Sequence, residues 1–260
     1  GSGRVIGDGS RLLQITPLRP WGFGGILPSE VFYRSFFFDA MPLLPPSDYF
    51  PPAEDADAEG LIGFGGKLSP EWLLDAYRHG IFPWPISDFQ APVAWWSPDP
   101  RAVIEFDRFH VSRRLRRTCR GAKFEVTRDL DFAGVIRGCA MAPGRVNQTW
   151  LTSEMIEAYI RLHTLGHAHS VEVWFERELA GGVYGVATGG LFAAESKFYR
   201  VRDASKVALV HLVEHLHARR FTLLDIQQLT PHTERLGAVA IPRSEYLRRL
   251  AAAIEEPVRF

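Results

Sequence analysis

The chain has 260 residues, 46% hydrophobic and 23% charged, with Lys+Arg and Asp+Glu both at 30. That balance belongs to an ordinary globular protein with a sizeable core, and it neither demands nor excludes a nucleic-acid partner, because local patches matter more than the sum. Two cysteines, Cys119 and Cys139, make no disulfide framework and no four-ligand zinc site, which fits a reduced cytoplasmic setting, and no apolar run approaches the ~20 residues of a membrane helix.

Residues 1–60 are rich in Pro and Gly and read as irregular chain laid over a body. "LSPEWLLDAYRHG" is a helix, with Ser69 as N-cap, Pro70 at the first helical position and Gly80 as the stop. "GIFPWPISDFQAPVAWWSPDPR" is too proline-rich for a helix or a central strand. "AVIEF" is a short strand, "DRFHVSRRLRRTCRG" a basic helix, "KFEVT" a strand and "DLDFAGVIRGCAM" a helix. "TSEMIEAYIRLHTLG" is a helix capped by Thr152 or Ser153 and ended by Gly166. "HSVEVWFE", "LAGGVYGVATG" and "LFAAESKF" read as an antiparallel meander. "DASKVALVHLVEHLHARR" is an amphipathic helix with Leu209, Leu212, Val213 and Leu216 as its stripe. A strand "FTLLDIQQL", a short helix "PHTERLG" and a last helix "SEYLRRLAAAIEE" complete a sheet with helices on it, an α/β or α+β arrangement.

Several clusters invite a chemical reading. "HLVEH" has the H-x-x-E-H spacing of a zinc protease, but His211 and His215 lie off the apolar stripe, toward solvent, and no third ligand is evident nearby. His167 and His169 of "GHAHS" read as a helix end and strand entry. Ser196 and Ser205 lack a nucleophile-elbow context, and no glycine run forms a phosphate fingerprint. Arg108, Arg113, Arg114, Arg116, Arg117 and Arg120 are different. Almost no acid interleaves them, so pairing along the helix cannot explain the run, and it suggests a phosphate backbone. Trp84 and Trp150 stand in prolyl or polar company, where a ring can stack on a base. Glu195, Asp225 and Gln227 place three polar groups in two apolar strands. They are costly there unless paired, so they form either a network that fixes register or a site at the sheet centre.

The segments "LIGFGGKLSPEWLLDAYRHGIFPW", "WWSPDPRAV", "TWLTSEMIEAYIRLHTLGHAHSVEVW", "LAGGVYGVATGGLFAAESKF" and "LLDIQQLTPHTERLGA" carry a resemblance to the leucyl/phenylalanyl-tRNA–protein transferase family over about residues 60–248. The resemblance implies an α+β fold, with an acetyltransferase-like (GNAT) mixed sheet and flanking helices over residues 106–260. A smaller N-terminal α/β domain, residues 41–105, would precede it, and residues 1–40 would be an irregular extension. It implies a cytoplasmic enzyme, expected as a monomer, with no cofactor and no metal. The enzyme would move Leu or Phe, with Met as a further candidate, from aminoacyl-tRNA to the N-terminal α-amine of proteins that begin with a basic residue, in N-end rule degradation. An altered aminoacyl or acceptor specificity, or a tRNA- or peptide-binding protein without efficient transfer, are the alternatives.

Carried onto this chain, the resemblance makes Asp225 the residue that orients Gln227, whose side-chain oxygen would accept a hydrogen bond from the attacking amine. Glu195 would bind an amino group. Trp84, Trp150 and Tyr77 would lie near the terminal adenosine, and the six arginines along the acceptor stem. Val183, Phe192, Leu209, Leu212, Leu216 and Leu224 would line the side-chain pocket. The family's E-S-M-F-S reads "ESKFY" here, so Lys197 replaces an apolar residue. Strand alternation puts it on the face of Glu195, where it would favour an acidic acceptor terminus.

Overall fold

The computed structural model describes residues 44–85, 92–142 and 151–260, together with the backbone of Leu12–Leu13. A small antiparallel sheet comes first. It is built from β1 (Leu12–Leu13), β2 (Leu61–Gly65), β3 (Phe82–Pro83) and β4 (Ala94–Trp96), in the order β1-β2-β4-β3. Between β2 and β3 runs α1 (Pro70–Arg78), where Ser69 Oγ accepts from the Trp72 amide at 3.5 Å. Gly80, at φ +74°, then turns the chain into β3, and a Cβ there would meet Leu247 at 2.7 Å.

The larger sheet holds β5 (Arg101–Ile104), β6 (Glu125–Arg128), β7 (Ala168–Phe175), β8 (Glu178–Thr188), β9 (Leu191–Tyr199), β10 (Leu223–Gln227) and β11 (Ala238–Ile241). Its order is β11-β5-β10-β9-β8-β7-β6, and the expected meander β7-β8-β9 is antiparallel. Only β9 and β10 pair in parallel among these described strands, so the sheet is mixed and the fold is α+β, as expected.

Helices cover both faces. On one, α3 (Phe132–Ala140) and α4 (Ser153–Thr164) pack with α1 and with α7 (Arg243–Ala253). Val135, Tyr159 and Leu250 there join Tyr184, Val186 and Ala193 of the sheet. On the other, α5 (Ala204–Ala218) and α2 (Arg113–Arg120) enclose Val171, Val183, Phe192 and Leu224. Each such buried side chain contributes about 1.5–3 kcal/mol. The short α6 (Pro231–Glu234) follows β10, fixed by a capping box between Thr230 and Thr233.

Four expectations change. The proline-rich stretch does supply an inner strand, because its proline-free run Ala94–Trp96 forms β4, paired with β2 on one side and β3 on the other. The basic helix does not begin at Asp107. A 3-10 turn, Phe106–Arg108, comes first, and Ser112 Oγ caps α2 by accepting from Leu115 N at 3.3 Å. The stripe of α5 is broader than expected, because Ala208 and Val210 are buried beside it. His211 and His215 are half-buried rather than turned to solvent: Phe260 folds over the helix, its ring 4.5 Å from that of His215. Burial, with repulsion from Arg128 and Arg219, pushes His215 down to about 4. Residues 1–40, read as an irregular extension, and Trp150 lie outside the described residues, save the backbone of Leu12–Leu13.

Candidate functional site

The β9–β10 ladder runs Leu191–Leu223, Phe192–Leu224, Ala193–Asp225. Just past it, both strands lose their regular period. On β9, Gly185 faces Ala194 and Tyr184 faces Ser196, so Glu195 is the extra residue of a bulge. On β10, Asp225 faces Val103 and Gln227 faces Ala102, which skips Ile226, and Gln227 sits at φ +63°. A non-glycine residue held there is strained, as residues at functional sites often are. Between the two irregular stretches lies a cavity of about 160 Å³, with Glu195 and Gln227 in its wall and Trp84, Val183, Lys197 and Leu209 around them. Trp84, 36% exposed, also lines a neighbouring cavity of about 320 Å³ with Phe82, Trp96 and Gln228.

Asp225 stands behind this wall, 0% exposed. Its carboxylate accepts from Arg101 Nε at 3.0 Å and Nη2 at 2.7 Å, from the Tyr246 hydroxyl at 2.9 Å and from the Gln227 amide at 2.8 Å. Four donors satisfy a buried anion, and Arg101 supplies the counter-charge. Burial alone would lower the pKa of Arg101, but the Asp225 carboxylate holds it above its ordinary value. Arg101 also donates to Gly80 O at 3.0 Å, and its guanidinium lies 4.7 Å from the Phe82 ring centre and 4.6 Å from that of Tyr246. The orienting of Gln227 by Asp225 therefore acts through the backbone amide.

The Gln227 side chain is held from the other strand. Its Nε2 donates to Glu195 Oε1 at 2.7 Å. An ionised carboxylate can only accept, so the amide is fixed with its nitrogen toward Glu195, and its oxygen is the end left to serve a ligand. Tyr159 OH donates to Glu195 Oε2 at 3.3 Å, and the Tyr77 and Tyr159 hydroxyls are 2.6 Å apart. Burial pushes the Glu195 carboxyl up to about 7, helped by the Asp225 charge and opposed by the tyrosine hydroxyls and Arg101. Burial and the Glu195 charge raise both tyrosines well above their ordinary value.

The structure thus brings together Glu195, Asp225, Gln227, Tyr77, Trp84, Val183, Lys197 and Leu209. It does not bring Phe192, Leu212, Leu216 and Leu224 to the cavity. All four are fully buried between the sheet and α5, so they are core, not lining. The face expected for Lys197 is also corrected. The bulge shifts the alternation by one, so Lys197 pairs with Val183 on the α5 face, whereas Glu195 meets Tyr159 on the α4 face; Lys197 enters the cavity from its far side. The six arginines are all exposed, and Arg114 donates to Asp203 at 3.0 Å.

Arg101, Tyr159 and Tyr246 escaped the sequence reading. An arginine opening the apolar run "RAVI" was the available signal, since such a charge needs a buried partner. The tyrosines lie among helical apolar residues and gave none. Among the described residues no group of three or more His, Cys, Asp or Glu is placed to hold a metal ion, and no helix is long and apolar enough to cross a membrane.

Comparison with known proteins finds a family model, leucyl/phenylalanyl-tRNA protein transferase, matching residues 103–251, and the model of that family's N-terminal domain matching residues 66–99. A leucyl/phenylalanyl-tRNA–protein transferase of Solidesulfovibrio magneticus is 54% identical over 208 residues, 80% of this chain and 83% of that protein. One from Pseudomonas syringae pv. syringae is 48% identical over 210 residues, 80% and 91% of the two chains. Among solved structures, a ribosomal-protein-alanine N-acetyltransferase from Brucella melitensis biovar Abortus overlays on 43% of this chain and 85% of its own. Its 14% identity and TM-score of 0.32 carry no argument.

Proposed function

The chain belongs to the leucyl/phenylalanyl-tRNA–protein transferase family, and we propose that it moves Leu or Phe from aminoacyl-tRNA to the N-terminal α-amine of proteins that begin with Arg or Lys, marking them for degradation. The observation that carries the reading is the Gln227 carboxamide. It stands in a cavity wall with its backbone anchored by Asp225 at 2.8 Å and its nitrogen held by Glu195 at 2.7 Å. Such an amide is preorganised to receive an N–H group.

In this reading the acceptor amine enters neutral and donates to Gln227 Oε1. Its nitrogen attacks the ester carbonyl, a C–N bond forms, and the C–O bond to the terminal ribose breaks. The amine's proton passes to the departing ribose oxygen, with the neighbouring hydroxyl as relay. The ester is already activated, so positioning supplies much of the acceleration. Glu195 keeps capacity beyond Gln227 and Tyr159 and takes the amino group of the donor's aminoacyl moiety. Val183 and Leu209 give the aminoacyl side chain an apolar wall, and Trp84 offers its ring to the terminal adenine at the seam of the two cavities. The six exposed arginines would follow the acceptor-stem phosphates.

The test is transfer from tRNA charged separately with labelled Leu, Phe, Met or Arg, to peptides that begin with Arg, Lys, Asp or Glu. Leu or Phe transfer to Arg and Lys peptides is expected. Transfer to Asp or Glu peptides would move the acceptor assignment, with Lys197 in the cavity as the reason. Binding of charged tRNA without any transfer would defeat the roles given to Asp225 and Gln227.

A further inference from the structure

Next to the reaction cavity is a larger one, about 590 Å³, whose lining includes Lys197, Tyr199, Arg202, Asp203, Lys206 and His232. Lys197 lines both, so the two adjoin. Resting on the function proposed above, we propose that this second cavity is a phosphodiester site, holding the last internucleotide phosphates of the donor tRNA's 3′ strand while its terminal adenosine lies at Trp84.

Charge is the first argument. Three cations, Lys197, Arg202 and Lys206, line the cavity with a single carboxylate, and Asp203 is shared among Arg114 at 3.0 Å, Lys206 at 3.3 Å and Arg202 at 3.9 Å. The lining therefore carries a net positive charge. The field shows on His232, whose pKa lies below its ordinary value through burial and through repulsion from Lys197, Lys206 and Arg235. The first turn of α5, a helix of 15 residues, starts in the cavity wall and adds its positive dipole end.

Continuity is the second. Arg114 belongs to α2, so the Asp203 bridge joins the cavity to the exposed Arg113, Arg116, Arg117 and Arg120. A row of cations that runs from a reaction cavity to an outer basic helix suits a polyanion. One acidic side chain at an acceptor terminus would use Lys197 alone. Tyr199, 57% exposed at the rim, is a platform on which an unstacked base can lie.

The experiment uses the full chain with Arg202→Ala, Lys206→Ala and the double variant, and Arg202→Glu as a charge reversal on an exposed side chain that does not threaten folding. Two donors are compared, leucyl-tRNA and phosphate-free leucyl-adenosine, and binding of an uncharged RNA hairpin ending in CCA is followed against salt. For two lost phosphate contacts the slope of log K against log salt should flatten by about 1.4. The double variant should raise KM for leucyl-tRNA on the order of tenfold more than KM for leucyl-adenosine, and Arg202→Glu should exceed Arg202→Ala. An unchanged salt slope, or equal losses on the two donors, would overturn the proposal. So would a changed preference between Arg- and Glu-initiated peptides at constant donor KM, which would give the cations to the acceptor. The hairpin titration does not need transfer, so it reads this site even if the proposed function fails.

Discussion

Replacing Asp225 by Asn should unseat both the buried ion pair and Gln227. The carboxylate receives four donors, two on each oxygen: Arg101 Nε and Gln227 N on Oδ1, Arg101 Nη2 and Tyr246 OH on Oδ2. Asn turns one of those oxygens into a donor, which faces two donors, and leaves Arg101, 1% exposed, without a counter-charge. Breaking a buried pair on one side costs about 3–5 kcal/mol. At roughly 2–4 °C per kcal/mol for a chain near this size, Tm should fall on the order of 10 °C in a calorimetric scan. Transfer should fall with it even well below Tm, because the Gln227 backbone loses its anchor. Arg101→Met removes the orphaned cation, so the double variant should be less destabilised than the sum of the two single changes, by about 2–3 kcal/mol of coupling. A Tm drop under about 3 °C with transfer intact, or additivity in the cycle, would refute the reasoning.

Glu195→Gln should change the pH profile. In the native protein transfer should decline as pH falls through about 7, where Glu195 protonates and one of its acceptors for Gln227 and Tyr159 becomes a donor. In the variant only the limb set by the acceptor amine, near 8, should remain. Stability carries the opposite sign: the folded-state pKa of about 7 exceeds the ordinary 4.5, so the Glu195 contribution is complete below 4.5 and lost as pH rises through 7. Urea titrations at pH 5 and 8 should show that loss in the native chain and not in the variant. Trp84→Ala should raise KM for charged tRNA by about 5- to 100-fold with kcat little changed, as removal of one base-stacking ring does. Gly138→Ala should destabilise by about 1–3 kcal/mol, because its Cβ would lie 2.4 Å from Cζ of the buried Phe198 ring; denaturant melts check this.

The polar trio was legible because burial makes polar residues conspicuous: Glu195, Asp225 and Gln227 interrupt runs that are otherwise apolar. The meander and the caps at Ser69 and Thr152 follow from local chemistry and short connections. Partners from distant sequence were not legible. Arg101 and Asp225 stand 124 residues apart, and nothing local pairs them. Apolar composition does not separate a pocket wall from a core, which is why Val183 and Leu209 reach the cavity while Leu212 and Leu216 do not. Lys197 was misplaced because strict period two assumes a strand without insertions, and a bulge leaves no mark in composition.

The bulge at Glu195 also fixes how the site can be transplanted. Delete one residue there and β9 regains even spacing. Ser196, Lys197 and Phe198 would keep their places opposite Tyr184, Val183 and Gly182, and only the position that carries the carboxylate would be lost. A graft that copied Glu195, Asp225 and Gln227 onto two regular strands would carry the right letters in the wrong phase. The portable unit is the pair of irregular strand ends, with the odd residue on each counted as part of it.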